Sequence, residues 1–188
     1  MDAEFASALA QWHDFFAAVA GVSATLVGLL FVALALNPLI MSDHRPAGLR
    51  TWAGLTFHNF LMVLTVALLA LTPEQSIVSF TVTLLVIGGL GVARVVSDAR
   101  RTRTDPNPEW QRRSALIRFA APLAGYLSCI WAGIGIWRGE PEDLNWLISF
   151  VFFLLFSAAG SCWDVLKAIG DHERADDREP ADAAGAHR

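Results

Sequence analysis

Residues 15–37 read FFAAVAGVSATLVGLLFVALALN, an apolar run without an ionisable side chain. A helix rises about 1.5 Å per residue, so roughly 20 such residues cross the hydrocarbon core of a bilayer. Asn37-Pro38 ends the run, and proline disfavours a helical conformation in the residue before it. The stretch therefore predicts a membrane-spanning α-helix, and it sets the class of the whole chain.

Four more apolar segments of spanning length follow the first. The chain has 188 residues, 54% hydrophobic and only 17% charged, which is too apolar for a soluble domain of this size. The sequence thus predicts an all-α fold, a polytopic transmembrane helix bundle that occupies residues 15–168. Its five spans are expected at residues 15–37, 52–72, 76–96, 115–137 and 144–168.

The two ends of the chain differ from the bundle. Residues 1–14 predict a short extracytoplasmic amphipathic segment, because Phe5, Leu9, Trp12 and Phe16 recur at a helical interval. A plain extension of the first span is the alternative. Residues 169–188 are polar, acidic and poor in aromatics, which predicts a disordered cytoplasmic tail.

The arginines predict the orientation. Three segments precede span one or join spans two to three and four to five, and Arg138 is the only arginine or lysine among them. The other arginines and the single lysine lie in or beside the remaining connections and at the C-terminal end of the chain, so the positive-inside rule places the N-terminus outside and the C-terminus inside. Arginine greatly outnumbers lysine, which favours a GC-rich bacterial genome and hence a bacterial plasma (inner) membrane.

Five polar residues within the spans are candidates for a pore or polar layer. Counting along each helix places Arg94, Arg118 and Asp164 at one level in the cytoplasmic half, with His58 and Asn59 nearer the midplane. A charge left unpaired in hydrocarbon costs at least about 2.5 kcal/mol, so Asp164 is expected to pair with Arg118 or Arg94. The alternatives are that the arginines snorkel to the interface and that His58 only packs.

A second set of candidates lies at the predicted outer mouth and consists of His13, Asp14, Glu140, Glu142 and Asp143. Such acids attract cations if several subunits present them together. For Asp14 the alternative is an N-cap of the first span, with its carboxylate against the helix dipole.

Small residues four positions apart predict close helix contacts, within one protomer or between protomers. They form the ridges Ala17-Gly21-Thr25, Ala20-Ala24-Gly28, Gly125-Cys129-Gly133 and Ser157-Ser161. The wholly apolar stretch Phe150–Phe156 predicts a stripe that faces lipid or another subunit.

No catalytic residue, metal ligand or cofactor site is predicted. The sequence has no C-x-x-C, H-E-x-x-H, P-loop or dinucleotide fingerprint. Gly21-Val22-Ser23-Ala24 is similar to the G-x-S-x of rhomboid-like intramembrane serine proteases, but depth counting places Ser23 and His58 in opposite halves of the bilayer. The chain is therefore not expected to be an enzyme.

The basic connection Arg100–Arg113 is expected to bind anionic lipid headgroups rather than nucleic acid, because juxtamembrane arginines ordinarily face such lipids. A protein partner at this loop is the alternative.

The opening of the chain combines Trp12-His13-Asp14-Phe15-Phe16, Gly21-Val22-Ser23-Ala24-Thr25-Leu26 and Gly28-Leu29-Leu30-Phe31-Val32-Ala33-Leu34. It resembles the opening of a group of small, functionally uncharacterised bacterial multi-span proteins. The resemblance covers about one span, implies a bacterial membrane protein and carries over no functional residue.

Two functions are consistent with these features. The first is a homo-oligomeric channel for a small ion, because five helices with one polar layer are too few to enclose an alternating-access pathway, and an odd span number disfavours two equal inverted repeats. The second is a non-conducting scaffold or regulator that binds another membrane protein. The sequence favours the channel slightly.

Overall fold

The protein is described by a computed structural model that covers residues 2–36, 47–73, 75–103 and 111–161. Across these ranges the chain is helical apart from short turns and contains no strand, so the all-α prediction is confirmed. The helices are α1 (Asp2–Gln11), α2 (His13–Leu36), α3 (Ala47–Ala70), α4 (Ile77–Arg103), α5 (Gln111–Arg138) and α6 (146–161), with a 3-10 turn at Pro141–Asn145 before α6.

Four of these segments are long and apolar enough to cross a membrane. They are His13–Ala33, Ile77–Arg100, Phe119–Arg138 and Pro141–Ser161. In α3 the apolar segment is shorter, Thr56–Ala70. The chain is thus compatible with a multi-pass membrane protein, while the fifth crossing, at α3, stays a prediction. The predicted tail, residues 169–188, lies outside the described residues.

Two helix ends mark breaks in the chain, and the second has a clear local cause. The helical chain breaks at Trp12, which separates α1 from α2. At the end of α5, Gly139 has a φ of 88°, its N–H donates to the carbonyl of Ile136, and the N–H of Glu140 donates to the carbonyl of Gly135. This is a Schellman cap, in which glycine takes the left-handed conformation at little cost. Pro141 follows and prevents the helix from continuing.

α5 lies at the centre of a tightly packed unit with α4 and α6. A β-carbon on Gly125 would overlap the side chain of Leu154 of α6, and one on Gly133 would press on Leu85 of α4. Between them, the thiol of Cys129 lies 3.6 Å from the carbonyl oxygen of Leu84. The ridge Gly125-Cys129-Gly133 therefore packs within the protomer, where small residues let helices approach closely.

α2 packs mainly along α3 and is the least buried of the four candidate spans. Only 22% of its apolar window is buried, against 50% for the window in α5. A β-carbon on Gly21 or Gly28 would meet nothing within 4 Å. The small-residue ridges of α2 thus differ from the ridge of α5, because the outward face of α2 contacts no other part of the described chain at these two glycines.

α1 lies across one end of the bundle. Phe5 is buried, and its ring centroid lies 5.4 Å from that of Phe80 in α4. A small cleft beside it is lined by Glu4, Phe5, Ile77, Ile136, Gly139 and Pro141. The start of α4, the end of α5 and α1 therefore meet at this end, which we call the α1 end. The opposite end, where α4 finishes at Arg100–Arg103, is the basic end.

The prediction that the whole stretch Phe150–Phe156 faces lipid or another subunit is wrong in part. Phe152 and Phe156 are exposed, as expected of residues that face lipid or another subunit. Phe150 and Leu154, however, are fully buried, and the ring of Phe150 lies 6.0 Å from that of Tyr126 in α5. A helical repeat of 3.6 residues places part of any continuous apolar run on the packed side.

Candidate functional site

The buried polar contact between α3 and α5 is the centre of the candidate site. The phenol of Tyr126 donates a hydrogen bond to Oδ1 of Asn59, with the two oxygens 3.3 Å apart, and both residues are almost completely buried. Hydrogen bonds between helices in a membrane contribute on average about 0.6 kcal/mol. The contact joins the hairpin of α2 and α3 to the unit formed by α4, α5 and α6.

α4 allows this contact because it has a glycine opposite the tyrosine. A β-carbon on Gly91 would overlap the ring of Tyr126, and one on Gly88 would overlap the side chain of Ile130. The ring of Tyr126 thus packs directly on the backbone of α4. A larger residue at position 91 would push the phenol away from Asn59.

The polar cluster continues along α3 and α4 with His58, Arg94 and Asp98. Arg94 Nε lies 4.0 Å from Asp98 Oδ2, one helical turn further along α4. The Arg94 side chain is about half exposed (48%) whereas that of Asp98 is largely covered (16%). His58 is half-buried on α3, within electrostatic range of both Arg94 and Asp98. We call His58, Asn59, Arg94, Asp98 and Tyr126 the polar cluster.

The members of the polar cluster lie at successive depths. At about 1.5 Å per residue, Asn59 and Tyr126 lie about 17 and 18 Å from the α1 end, counted from Ala70 and Arg138. Arg94 lies about 26 Å and Asp98 about 32 Å from the same end, counted from Ile77 at the same rise. The cluster therefore extends from near the middle of the bundle to its basic end.

Three buried polar atoms of the described residues have no hydrogen-bond partner. They are Asn59 Nδ2, Ser23 Oγ and Thr81 Oγ1, each on a residue that is at most 1% exposed. An unsatisfied buried donor costs about 1–3 kcal/mol. Ser23 Oγ is one of these three atoms and thus forms no hydrogen bond with His58.

The predicted pairing of Asp164 falls outside the described part of the chain. Asp164 is not among the described residues, and Arg118 is described only as a backbone position within α5. Arg94, the other proposed partner, lies beside Asp98 of its own helix. Both possible pairings of Asp164 stay predictions.

The outer-mouth candidates all lie at the α1 end. His13 Nδ1 and Asp14 Oδ1 are 3.4 Å apart, and both side chains are exposed. α2 begins at His13, so Asp14 lies in the first turn rather than at the N-cap, where its carboxylate still interacts favourably with the helix dipole.

The acids beyond α5 have different surroundings. Glu140 and Glu142 are exposed. The carboxylate of Asp143 lies against Gly135, where a β-carbon would overlap it. In a single protomer Asp143 thus packs on the end of α5, whereas the two glutamates face outward.

The basic connection is partly helical. α4 continues past the expected end of its span at Val96 to Arg103, and α5 begins at Gln111. The predicted Arg100–Arg113 loop is therefore shorter than expected, with residues 104–110 outside the described residues.

Among the described residues, no three His, Cys, Asp or Glu side chains are close enough to hold a metal ion.

Sequence reasoning gave His58, Asn59 and Arg94 as site candidates but not Tyr126, Gly91 and Asp98. Tyr126 is the single tyrosine of the chain, and a tyrosine buried in a span normally needs a hydrogen-bond partner. That signal could have placed it opposite Asn59. Gly91 could not be distinguished from Gly89, because only the structure shows which one faces α5.

Together, the fold and the polar cluster define an all-helical chain with several helices compatible with a membrane. No protein family, no curated protein and no solved structure matches the sequence or the fold of this chain. The resemblance of its opening to small bacterial multi-span proteins stays a prediction.

Proposed function

We propose that the chain is an integral protein of a bacterial plasma membrane, with five spans, the α1 end outside and the basic end inside. The apolar segments of α2, α4, α5 and α6 support the crossings. The shared position of α1 and the α5–α6 turn at one end is consistent with an alternating path. The positive-inside rule favours the basic end as the cytoplasmic one.

We further propose that several copies assemble into a channel for a small ion. The observation that carries this proposal is the polar cluster, because ionisable residues within a bilayer are costly and commonly mark ion pathways. His58 is only half-buried on α3, so part of its side chain lies where a permeant species or a neighbouring subunit can contact it. The acids at the α1 end, Glu140 and Glu142 among them, would attract cations to the outer mouth.

The test combines two measurements on one purified sample. The mass of the complex in nanodiscs gives the subunit number, and proteoliposomes give the ion flux. We expect a closed oligomer whose flux falls at least tenfold with His58→Ala or Asp164→Asn. Leu61→Ala, an exposed position one turn from His58 on α3, is the matched control and should leave the flux unchanged. A monomer in ion-tight liposomes would contradict the channel.

A non-conducting scaffold or regulator is the second candidate, and the open face of α2 favours it. Gly21 and Gly28 have free space around them, and small residues spaced by four are typical of interfaces between membrane helices. If the protein is a scaffold, the liposomes stay ion-tight. Gly21→Leu and Gly28→Leu would then lower the mass of the complex, while His58→Ala would leave it unchanged.

A further inference from the structure

His58 is a polar side chain at a depth where a membrane protein faces lipid tails or other helices. His58 lies about 18 Å from the α1 end, and hence about 12 Å from the far side of a hydrocarbon core about 30 Å thick. Its side chain is only half-buried. A polar side chain at that depth is poorly accommodated by lipid tails and requires another polar group or water beside it.

Neighbouring groups supply a polar route from His58 toward the basic end. Arg94 is half exposed and lies about 8 Å further along the bundle axis, and Asp98 lies about 6 Å beyond Arg94. Both lie within electrostatic range of His58. Polar side chains therefore occur at three levels between the middle of the bundle and the basic end, at His58 on α3 and at Arg94 and Asp98 on α4.

Toward the α1 end the same junction is closed. Asn59 and Tyr126 are buried and hydrogen-bonded to each other. Val63, Val66 and Ala67, the next residues on the inward face of α3, are at most 1% exposed. No titratable side chain occurs on α3 between Asn59 and Ala70, so the series of titratable side chains stops at the contact between Asn59 and Tyr126.

From this one-sided arrangement we infer that the junction of α3 and α4 forms a water-filled crevice, open to the basic end and closed by the contact between Asn59 and Tyr126. Its occupants are water and small hydrated ions. Water in the crevice hydrates His58 and the guanidinium of Arg94, which removes the cost of placing them in hydrocarbon. The inference rests on the proposed membrane orientation, and it would make the crevice the cytoplasmic half of the pathway.

Thiol labelling tests the crevice. Cys162 is replaced by serine, and the native Cys129, fully buried between α4 and α5, is kept as an internal unreactive control. Single cysteines are placed at His58 and, as the matched control, at the exposed apolar Leu61. A charged, membrane-impermeant thiol reagent is applied to sealed vesicles of either orientation. We expect His58→Cys to react at least tenfold faster than Leu61→Cys, and only from the basic side.

A second pair of variants tests the α4 side of the crevice, in case His58→Cys does not fold. Arg94→Cys is compared with Leu90→Cys, which is exposed one turn earlier on α4. We expect Arg94→Cys to react rapidly from the basic side and Leu90→Cys to stay unreactive. Equal slow reaction of the cysteines within each folded pair, or reaction from the α1 side, would overturn the crevice.

The labelling and the flux assay can fail separately. Ion flux without labelling at His58→Cys would reject the crevice and leave the channel in place, with its pathway elsewhere. Labelling at His58→Cys in ion-tight liposomes would support the crevice and reject the channel.

Discussion

The ring of Tyr126 occupies the space that a β-carbon would fill on Gly91. The same tyrosine donates a hydrogen bond to Asn59 on α3 and contacts Phe150 on α6. One side chain of α5 thus contacts three neighbouring helices. Because protein interiors are close-packed, a change at Gly91 is transmitted directly to the contact between Tyr126 and Asn59.

Gly91→Ala should destabilise the protein. The added methyl group would overlap the ring of Tyr126, and overpacking of this kind typically costs about 1–3 kcal/mol. The measurement is reversible unfolding in mixed micelles. Gly89→Ala is the matched control, because the same β-carbon two residues away meets nothing within 4 Å. Equal stability of the two variants would show that Tyr126 does not pack on α4 as described.

Tyr126→Phe should lower stability through its effect on Asn59. Removal of the hydroxyl leaves Asn59 Oδ1 without its described donor, and such contacts in membranes contribute about 0.6 kcal/mol on average and up to about 1.7 kcal/mol. A double-mutant cycle with Asn59→Leu isolates the pairwise contribution. Strictly additive effects of the two substitutions would mean that the hydrogen bond contributes nothing.

Phe5→Ala should release α1 from the bundle. Phe5 is 3% exposed and packs against Phe80, so its loss removes the main apolar contact of a helix of 10 residues. We expect at least tenfold faster proteolysis within residues 6–11, followed by mass spectrometry. Phe31→Ala, at a residue that is 66% exposed on α2, serves as control. Unchanged cleavage of Phe5→Ala would show that other contacts hold α1.

Gly139→Ala should weaken the end of α5. Gly139 has a φ of 88°, and a residue with a β-carbon in the left-handed region costs about 1–2 kcal/mol. The thermal midpoint should therefore fall. Gly160→Ala is the control, since Gly160 has free space around it in α6, and its midpoint should stay the same or rise. A rise for Gly139→Ala would contradict the Schellman cap.

Much of the helical architecture follows from the sequence alone. Apolar length predicted helices that the structure confirms over the described residues, because a run such as residues 15–37 can satisfy its backbone in a membrane only as a helix. Helix ends were less predictable. α4 runs to Arg103 rather than Val96, since hydropathy marks the edge of the hydrocarbon and not the end of the hydrogen-bonded helix.

The candidate site was only partly predictable, for a geometric reason. Depth along a span can be counted from the sequence, and this placed His58 and Asn59 near the middle. The direction in which a side chain points depends on how each helix is rotated about its own axis. Hydropathy does not define this rotation when all faces of the helix are apolar. Asn59 is therefore buried against Tyr126 while its neighbour His58 is half-buried, a difference that counting could not give.

The central claim is that the α1 end of the bundle lies outside the membrane and the basic end inside. The most direct measurement is labelling of single cysteines, in a background with Cys162 replaced, by an impermeant thiol reagent in intact and in permeabilised bacterial cells. We predict that Glu142→Cys, exposed at the α1 end, is labelled in intact cells, and that Arg100→Cys, exposed at the basic end, is labelled only after permeabilisation. Labelling of both positions in intact cells, or of Arg100→Cys alone, would contradict the account.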